Sequence, residues 1–184
     1  MRRSRDVAVT GVLTALTFVT VMFARVPMPT GVLEGGLVHL GNAPVFIAAI
    51  VFGKKTAAFA GGAGMALFNL LIAPGPHWAP FTLVTRGAMG YVVGAIAARR
   101  GGKSPGMNLL AIGAGGLVFI AGMYLSEVLL LRFGMFNTDG TEFVLLVPLS
   151  SIPGNLAQVV LSTAVTLPVL GRLRAFRRRF YDAE

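Results

Sequence analysis

Six long apolar runs, separated by short stretches of charge, glycine or proline, make up most of this chain. They fall at residues 7–26, 37–53, 56–72, 81–98, 107–131 and 143–170. About 20 apolar residues suffice for an α-helix to cross the ~30 Å hydrocarbon core of a bilayer. A helix also satisfies its own backbone where no water is available. The pattern therefore predicts an all-α fold, a single domain over residues 1–184 built as an integral membrane bundle of six helices. Pro80 suits the first turn of the fourth helix, where a missing N–H costs least. Prolines 148, 153 and 168 predict that the sixth is kinked or divided. Residues 171–184 read as a basic tail.

Charge adds an orientation. The chain has 16 Lys and Arg against 7 Asp and Glu, a formal net charge of +9. Basic clusters stand before the first run (Arg2, Arg3, Arg5), after the second (Lys54, Lys55), after the fourth (Arg99, Arg100, Lys103) and after the sixth (Arg172, Arg174, Arg177 to Arg179). The alternate connections carry Glu34, His77, Trp78, Asp139 and Glu142, with Arg25 and Arg132 the basic residues near them. Lysine and arginine concentrate in cytoplasmic loops, so both termini are expected in the cytoplasm. No folded basic surface with stacking or groove-entering elements is apparent, so nucleic acid is not expected as a partner. The opening Met-Arg-Arg-Ser-Arg resembles a secretory leader, but the run at 7–26 is too long for one and no small-x-small cleavage site precedes Pro27. It reads as a retained span.

Composition supports the bilayer and removes several chemistries. The chain is 55% hydrophobic and 12% charged, where soluble domains average about 45–50% and about 25%. Mean hydropathy is +0.76. With no cysteine and two histidines, disulfides, thiolate nucleophiles and a His-rich metal site are excluded, and no cofactor is expected. No Gly-x-x-x-x-Gly-Lys-Ser/Thr loop is present to hold ATP, and neither His-Glu-x-x-His nor Gly-x-Ser-x-Gly occurs. Neither a self-powered pump nor an enzyme is expected. Gly61-Gly62-Ala63-Gly64 and Gly113-Ala114-Gly115-Gly116 read as close helix packing.

Ionisable groups within a span cost about 2.5–3.5 kcal/mol on insertion scales, so they face a partner or a cavity. Arg86 lies about four residues inside the fourth run and Glu127 about four inside the outer end of the fifth, each ~6 Å below its helix end at 1.5 Å per residue. At similar depth they could form a buried ion pair, Arg86 could snorkel to the headgroups, or both could face an outward pocket. Thr82 shares the Arg86 face and Tyr124 the Glu127 face; His77, Trp78 and Asn69 lie near the adjoining outer loop. In the sixth run Ser151, Asn155, Gln158 and Ser162 follow i, i+4, i+7, i+11, a single helical face. Ser151 and Asn155 read as pocket, Gln158 and Ser162 as interhelical glue. Thr10, Thr14 and Thr17 form a weakly polar stripe in the first run, and Gly11 with Ala15 makes a small-x-x-x-small pair suited to close helix approach.

The order and spacing of several motifs carry a family likeness. They are Gly36-Leu-Val-His39-Leu-Gly41-Asn42-Ala-Pro, Gly53-Lys-Lys55, Ala60-Gly-Gly-Ala-Gly64-Met-Ala-Leu-Phe-Asn69, Trp78-Ala-Pro80-Phe-Thr82 through Arg86-Gly-Ala-Met-Gly90, and Ile152-Pro-Gly-Asn155-Leu-Ala-Gln158. Over residues 7–170 the chain resembles the substrate-binding S components of energy-coupling factor (ECF) transporters, and within them the riboflavin-type branch. Where that branch's pattern has Asp, this chain has Asn42 and Asn69. The resemblance implies a vitamin-capturing membrane subunit for a riboflavin-like, or hydroxymethylpyrimidine- or pyridoxine-like, molecule. It implies docking on a membrane T subunit with two ATP-binding-cassette ATPases. It implies contact with the T subunit through Gly11 and Ala15, and a pocket on the outer side. His39, Asn42, Asn69, Trp78, Thr82, Arg86, Tyr124, Glu127, Ser151 and Asn155 are the expected substrate-binding residues, with Trp78 stacking on a heterocycle. A membrane scaffold without a ligand and an intramembrane enzyme or channel are the rival readings.

Overall fold

The computed structural model describes residues 2–27, 37–72, 75–134 and 143–182. Glu34, Asp139 and Glu142 lie outside the described residues. The elements are α1 (Arg2–Phe23), β1 (Arg25–Pro27), β2 (Leu37–His39), α2 (Asn42–Ile47, continued by a π-helical turn Ala48–Phe52), α3 (Lys54–Leu71), α4 (Ala79–Ala97), α5 (Pro105–Arg132), α6 (Phe143–Leu146) and α7 (Ile152–Asp182). Taking α6 and α7 together, six helical segments follow one another among the described residues. Four of these are long and apolar enough to cross a membrane: Ser4–Phe23, Pro76–Arg100, Pro105–Arg132 and Phe143–Arg179. The stretch Asn42–Phe52 is apolar but shorter.

Burial follows the logic of a bundle in lipid. Val7, Phe23, Leu117 and Phe133 are exposed on the outside, while Thr17, His39, Asn42, Arg86, Glu127 and Gln158 are buried within. Helix α1 shows the division in one element. Leu13, Thr14, Thr17 and Val21 turn inward; Val12, Leu16 and Val19 turn out. Its threonine hydroxyls donate to backbone carbonyls one turn earlier, Thr14 to Thr10 O at 2.8 Å and Thr17 to Leu13 O at 2.9 Å. The polar stripe thus satisfies itself.

Glycines set how closely the helices approach. A Cβ on Gly64 of α3 would lie 2.7 Å from the Thr14 carbonyl oxygen of α1, and one on Gly62 would lie 2.6 Å from the Leu83 carbonyl oxygen of α4. Real Cβ atoms do not come that near, so these helices pack backbone to backbone. The run Gly61–Gly64 is a packing surface.

Three local departures from the sequence reading matter for the site. Residues 37–39, expected to open the second helix, instead pair antiparallel with 25–27, with Arg25 opposite His39 and Val26 opposite Val38. Leu37-Val38-His39 fits a strand because its partner arrives from the end of α1, a long-range pairing no local pattern encodes. The division of the sixth run falls at Val147–Ser151, a 3₁₀ stretch containing Pro148, and Pro153 takes the first turn of α7. Helix α7 continues past Pro168 to Asp182, so most of the expected tail is helical. Nothing from Gly171 to Asp182 breaks a helix, and Arg, Leu and Ala favour one. Arg174 Nη2 donates to the Gly102 carbonyl, which Asn108 Nδ2 also engages at 2.8 Å, tying α7 to the turn between α4 and α5.

Candidate functional site

Helices α4, α5 and α7 and strand β2 bring a set of buried polar side chains to two levels inside the bundle. The deeper level centres on Arg86, which is 3% exposed. Its guanidinium lies over the Phe119 ring of α5, 4.0 Å from the centroid. Its Nη2 donates to Gln158 Oε1 of α7 at 3.2 Å. Gln158 Nε2 in turn donates to Asn155 Oδ1 at 3.4 Å. His39, delivered by β2, places Nε2 3.4 Å from the same Arg86 nitrogen, and its Nδ1 accepts from Gly41 N–H at 3.1 Å. His39 stands outside the helices. A second cation beside the Arg86 guanidinium would be costly.

The second level, nearer the C-terminal end of α5, centres on Glu127, which is buried. The Ser151 side chain hydrogen-bonds to its carboxyl group, and Oε2 has no partner among the described residues. Two helices give the separation of the levels independently. Ser151 and Gln158 are seven residues apart, ~10 Å along the chain's helical course, and Phe119 and Glu127 are eight apart on α5, ~12 Å. Among the described residues no ion pair joins Arg86 to Glu127. The expectation of similar depth is therefore corrected: distance from each helix's own end does not fix the register of two antiparallel helices, and Arg86 reaches down toward Phe119.

The remaining expected residues divide by how their polar groups are used. Asn69 Nδ2 donates to Thr82 Oγ1 at 2.8 Å, and Thr82 Oγ1 is 3.1 Å from the Trp78 carbonyl and 3.2 Å from that of Ala79. This pair joins α3 to α4 and spends its hydrogen bonds on the protein. Tyr124 donates to the Leu145 carbonyl at 3.1 Å, fastening α6 to α5. Trp78 is half-buried on the turn Pro76–Trp78 that opens α4, its ring 6.0 Å from that of His77. Asn42 is fully buried and neither amide atom has a partner among the described residues. Gly11 and Ala15 are exposed on α1, and a Cβ on Gly11 would meet nothing within 4 Å.

Sequence reading gave Gln158 to interhelical glue, and its bond from α7 to Arg86 of α4 is of that kind. Phe119 was not singled out, being one aromatic among many in an apolar run. Thr166, fully buried, continues the α7 stripe one turn below Ser162, and its Oγ1 lies 3.4 Å from the Ala43 carbonyl. The i+4 spacing would have found it.

The arrangement gathers hydrogen-bonding and ionisable groups at two heights in the bundle. Among the described residues no group of three or more His, Cys, Asp or Glu could hold a metal. Three likenesses to known proteins bear on it. A family model described as ECF-type riboflavin transporter, S component, matches residues 2–175. A protein of Pyrococcus woesei described as "Uncharacterized protein in gap 3'region" is 36% identical over 104 residues, 56% of this chain. The matched stretch spans 66% of that relative's length. A solved structure described as "Structure and mechanism of the S component of a bacterial ECF transporter" superposes with a TM-score of 0.72 at 19% identity, covering 96% of this chain and 99% of that one. At that identity the likeness carries the fold.

Proposed function

This chain belongs to the ECF-type riboflavin transporter S component family, and from that premise we propose that it captures a small water-soluble vitamin or precursor from outside the cell. The family is one of substrate-binding transporter subunits and not of enzymes. In this reading the chain sits in the plasma membrane, crosses it six times, and keeps both termini in the cytoplasm. It delivers its cargo by docking on a T subunit that carries two ATP-binding-cassette ATPases. The ligand is riboflavin-like, or of hydroxymethylpyrimidine or pyridoxine type.

The observation that carries the reading is the polar column of Glu127, Asn155, Gln158, Arg86 and His39, all buried, with Ser151 half-buried beside Glu127, inside a bundle whose outer face is apolar. Helices in lipid gain little from such a concentration of polar groups, each interhelical bond being worth about 0.6 kcal/mol. A ligand that takes hydrogen bonds from them supplies the reason to keep it. Trp78, half-buried near the outer ends of these helices, offers a ring face for a heterocycle.

Native mass spectrometry of the purified protein tests capture. A retained vitamin-sized molecule is the expected result; no such molecule, with no thermal shift across a vitamin panel, favours a ligand-free scaffold and ends the reading. Docking has its own variant. Gly11→Leu with Ala15→Leu adds bulk to an exposed face of α1 and is expected to abolish co-purification with the T subunit and ATPases while ligand affinity stays as it was. Intact co-purification removes this face from the docking surface.

A further inference from the structure

The deeper level of the site holds a cation without an anion. Arg86 has five N–H donors, and among the described residues it finds one acceptor, Gln158 Oε1. Its Nε is buried with no partner. No carboxylate of the described residues reaches it. The Phe119 ring covers one face of the guanidinium and supplies no oxygen.

His39 sharpens the imbalance. A neutral imidazole has one acceptor and one donor nitrogen. With Nδ1 accepting from Gly41 N–H, the proton rests on Nε2, which points at Arg86 Nη2 from 3.4 Å. Two N–H donors face each other and nothing accepts from either along that line. The opposite tautomer moves the conflict to Gly41 N–H without removing it. One more oxygen acceptor, charged to match Arg86, resolves both shortages at once.

We propose that Arg86 and His39 clasp an anionic oxygen of the captured molecule, so that the substrate carries a carboxylate or an equally charged oxygen at its deeper end. This rests on the capture reading above and narrows it to a ligand with an ionised oxygen, such as the ring phenolate of a pyridoxine-type molecule. Riboflavin-like and hydroxymethylpyrimidine-like molecules, which present only neutral carbonyls, hydroxyls and ring nitrogens, satisfy the donors but not the charge.

Benzoate and benzamide are matched probes, alike in shape and differing in charge. Full-length protein in phosphatidylcholine nanodiscs is expected to gain thermal stability with millimolar benzoate and none with benzamide, since a ligand that binds the folded state raises its melting temperature. Arg86→Gln should weaken benzoate binding at least about tenfold, the loss expected for a hydrogen bond to a charged group. If that variant does not fold, His39→Leu removes the second donor and should weaken benzoate in the same direction. Equal responses to the two probes, no response to benzoate, or a benzoate response untouched by both variants each overturn the clasp. A stabilisation that follows added phosphatidylglycerol in place of benzoate assigns the acceptor to a lipid headgroup and also overturns it. Riboflavin stabilising the wild type and Arg86→Gln equally sinks the clasp and leaves vitamin capture standing. Capture itself fails only if every vitamin is without effect and nothing is retained on purification.

Discussion

Gly62→Val is expected to cost most of the folded protein, while Gly113→Val, the same change in another glycine-rich stretch, is tolerated. At Gly62 the new Cβ would lie 2.6 Å from the Leu83 carbonyl oxygen and 3.3 Å from its Cδ1. A backbone oxygen cannot swing aside as the end of a side chain can. Helix α4 would have to move away from α3, and with it Arg86, three residues along from Leu83. Overpacking typically costs 1–3 kcal/mol, and a contact with rigid backbone belongs at about 3 kcal/mol or above. Gly113 faces outward on α5, and a Cβ there meets nothing within 4 Å. Fluorescence-detected size-exclusion of detergent-extracted protein would read both. A monodisperse Gly62→Val peak at wild-type yield would show that the α3–α4 contact has slack that the backbone geometry denies.

The second large effect concerns the two levels of the site. Arg86→Gln removes the cation with a shorter side chain left in its place, and Glu127→Gln removes the acid at nearly constant volume. Each should weaken the ligand identified by native mass spectrometry by about 1.5–3 kcal/mol, roughly ten- to a hundredfold. The double variant should lose the sum to within about 0.5 kcal/mol, the additivity of sites 7–10 Å or more apart that share no partner. Isothermal titration of the four proteins would measure it. A coupling above about 1 kcal/mol would mean that the two side chains touch, and the ~10 Å rise from Gln158 to Ser151 along α7 would then misrepresent the site.

The sequence carried the architecture further than the site. Alternating basic clusters and apolar runs gave six helical segments, and the structure has them, because hydropathy is a property of single positions and survives reading one residue at a time. The stripe on α7 was visible for the same reason: Ser151, Asn155 and Gln158 lie on one face by their spacing alone. What each member touches depends on register between helices. Arg86 and Glu127 looked level when counted from their own helix ends, but Phe119 and Ser151 set their true heights. Asn69 and Thr82, both placed toward a pocket, bond to one another. His39 was assigned to a helix and came to Arg86 on a strand instead. In each case the missing information was a partner distant in sequence.

The short second helix has a consequence for what fills the bilayer beside it. From Asn42 to Phe52 the helical course is 11 residues, ~16 Å at 1.5 Å per residue, about half of a ~30 Å hydrocarbon layer. In the six-crossing reading proposed above, the ladder of Arg25–Pro27 and Leu37–His39 makes up part of the difference, and non-helical backbone at such depth persists only where protein covers it or water reaches it. At His39 and Asn42 it is protein that does the covering, since both side chains are buried within the bundle and so kept out of the hydrocarbon.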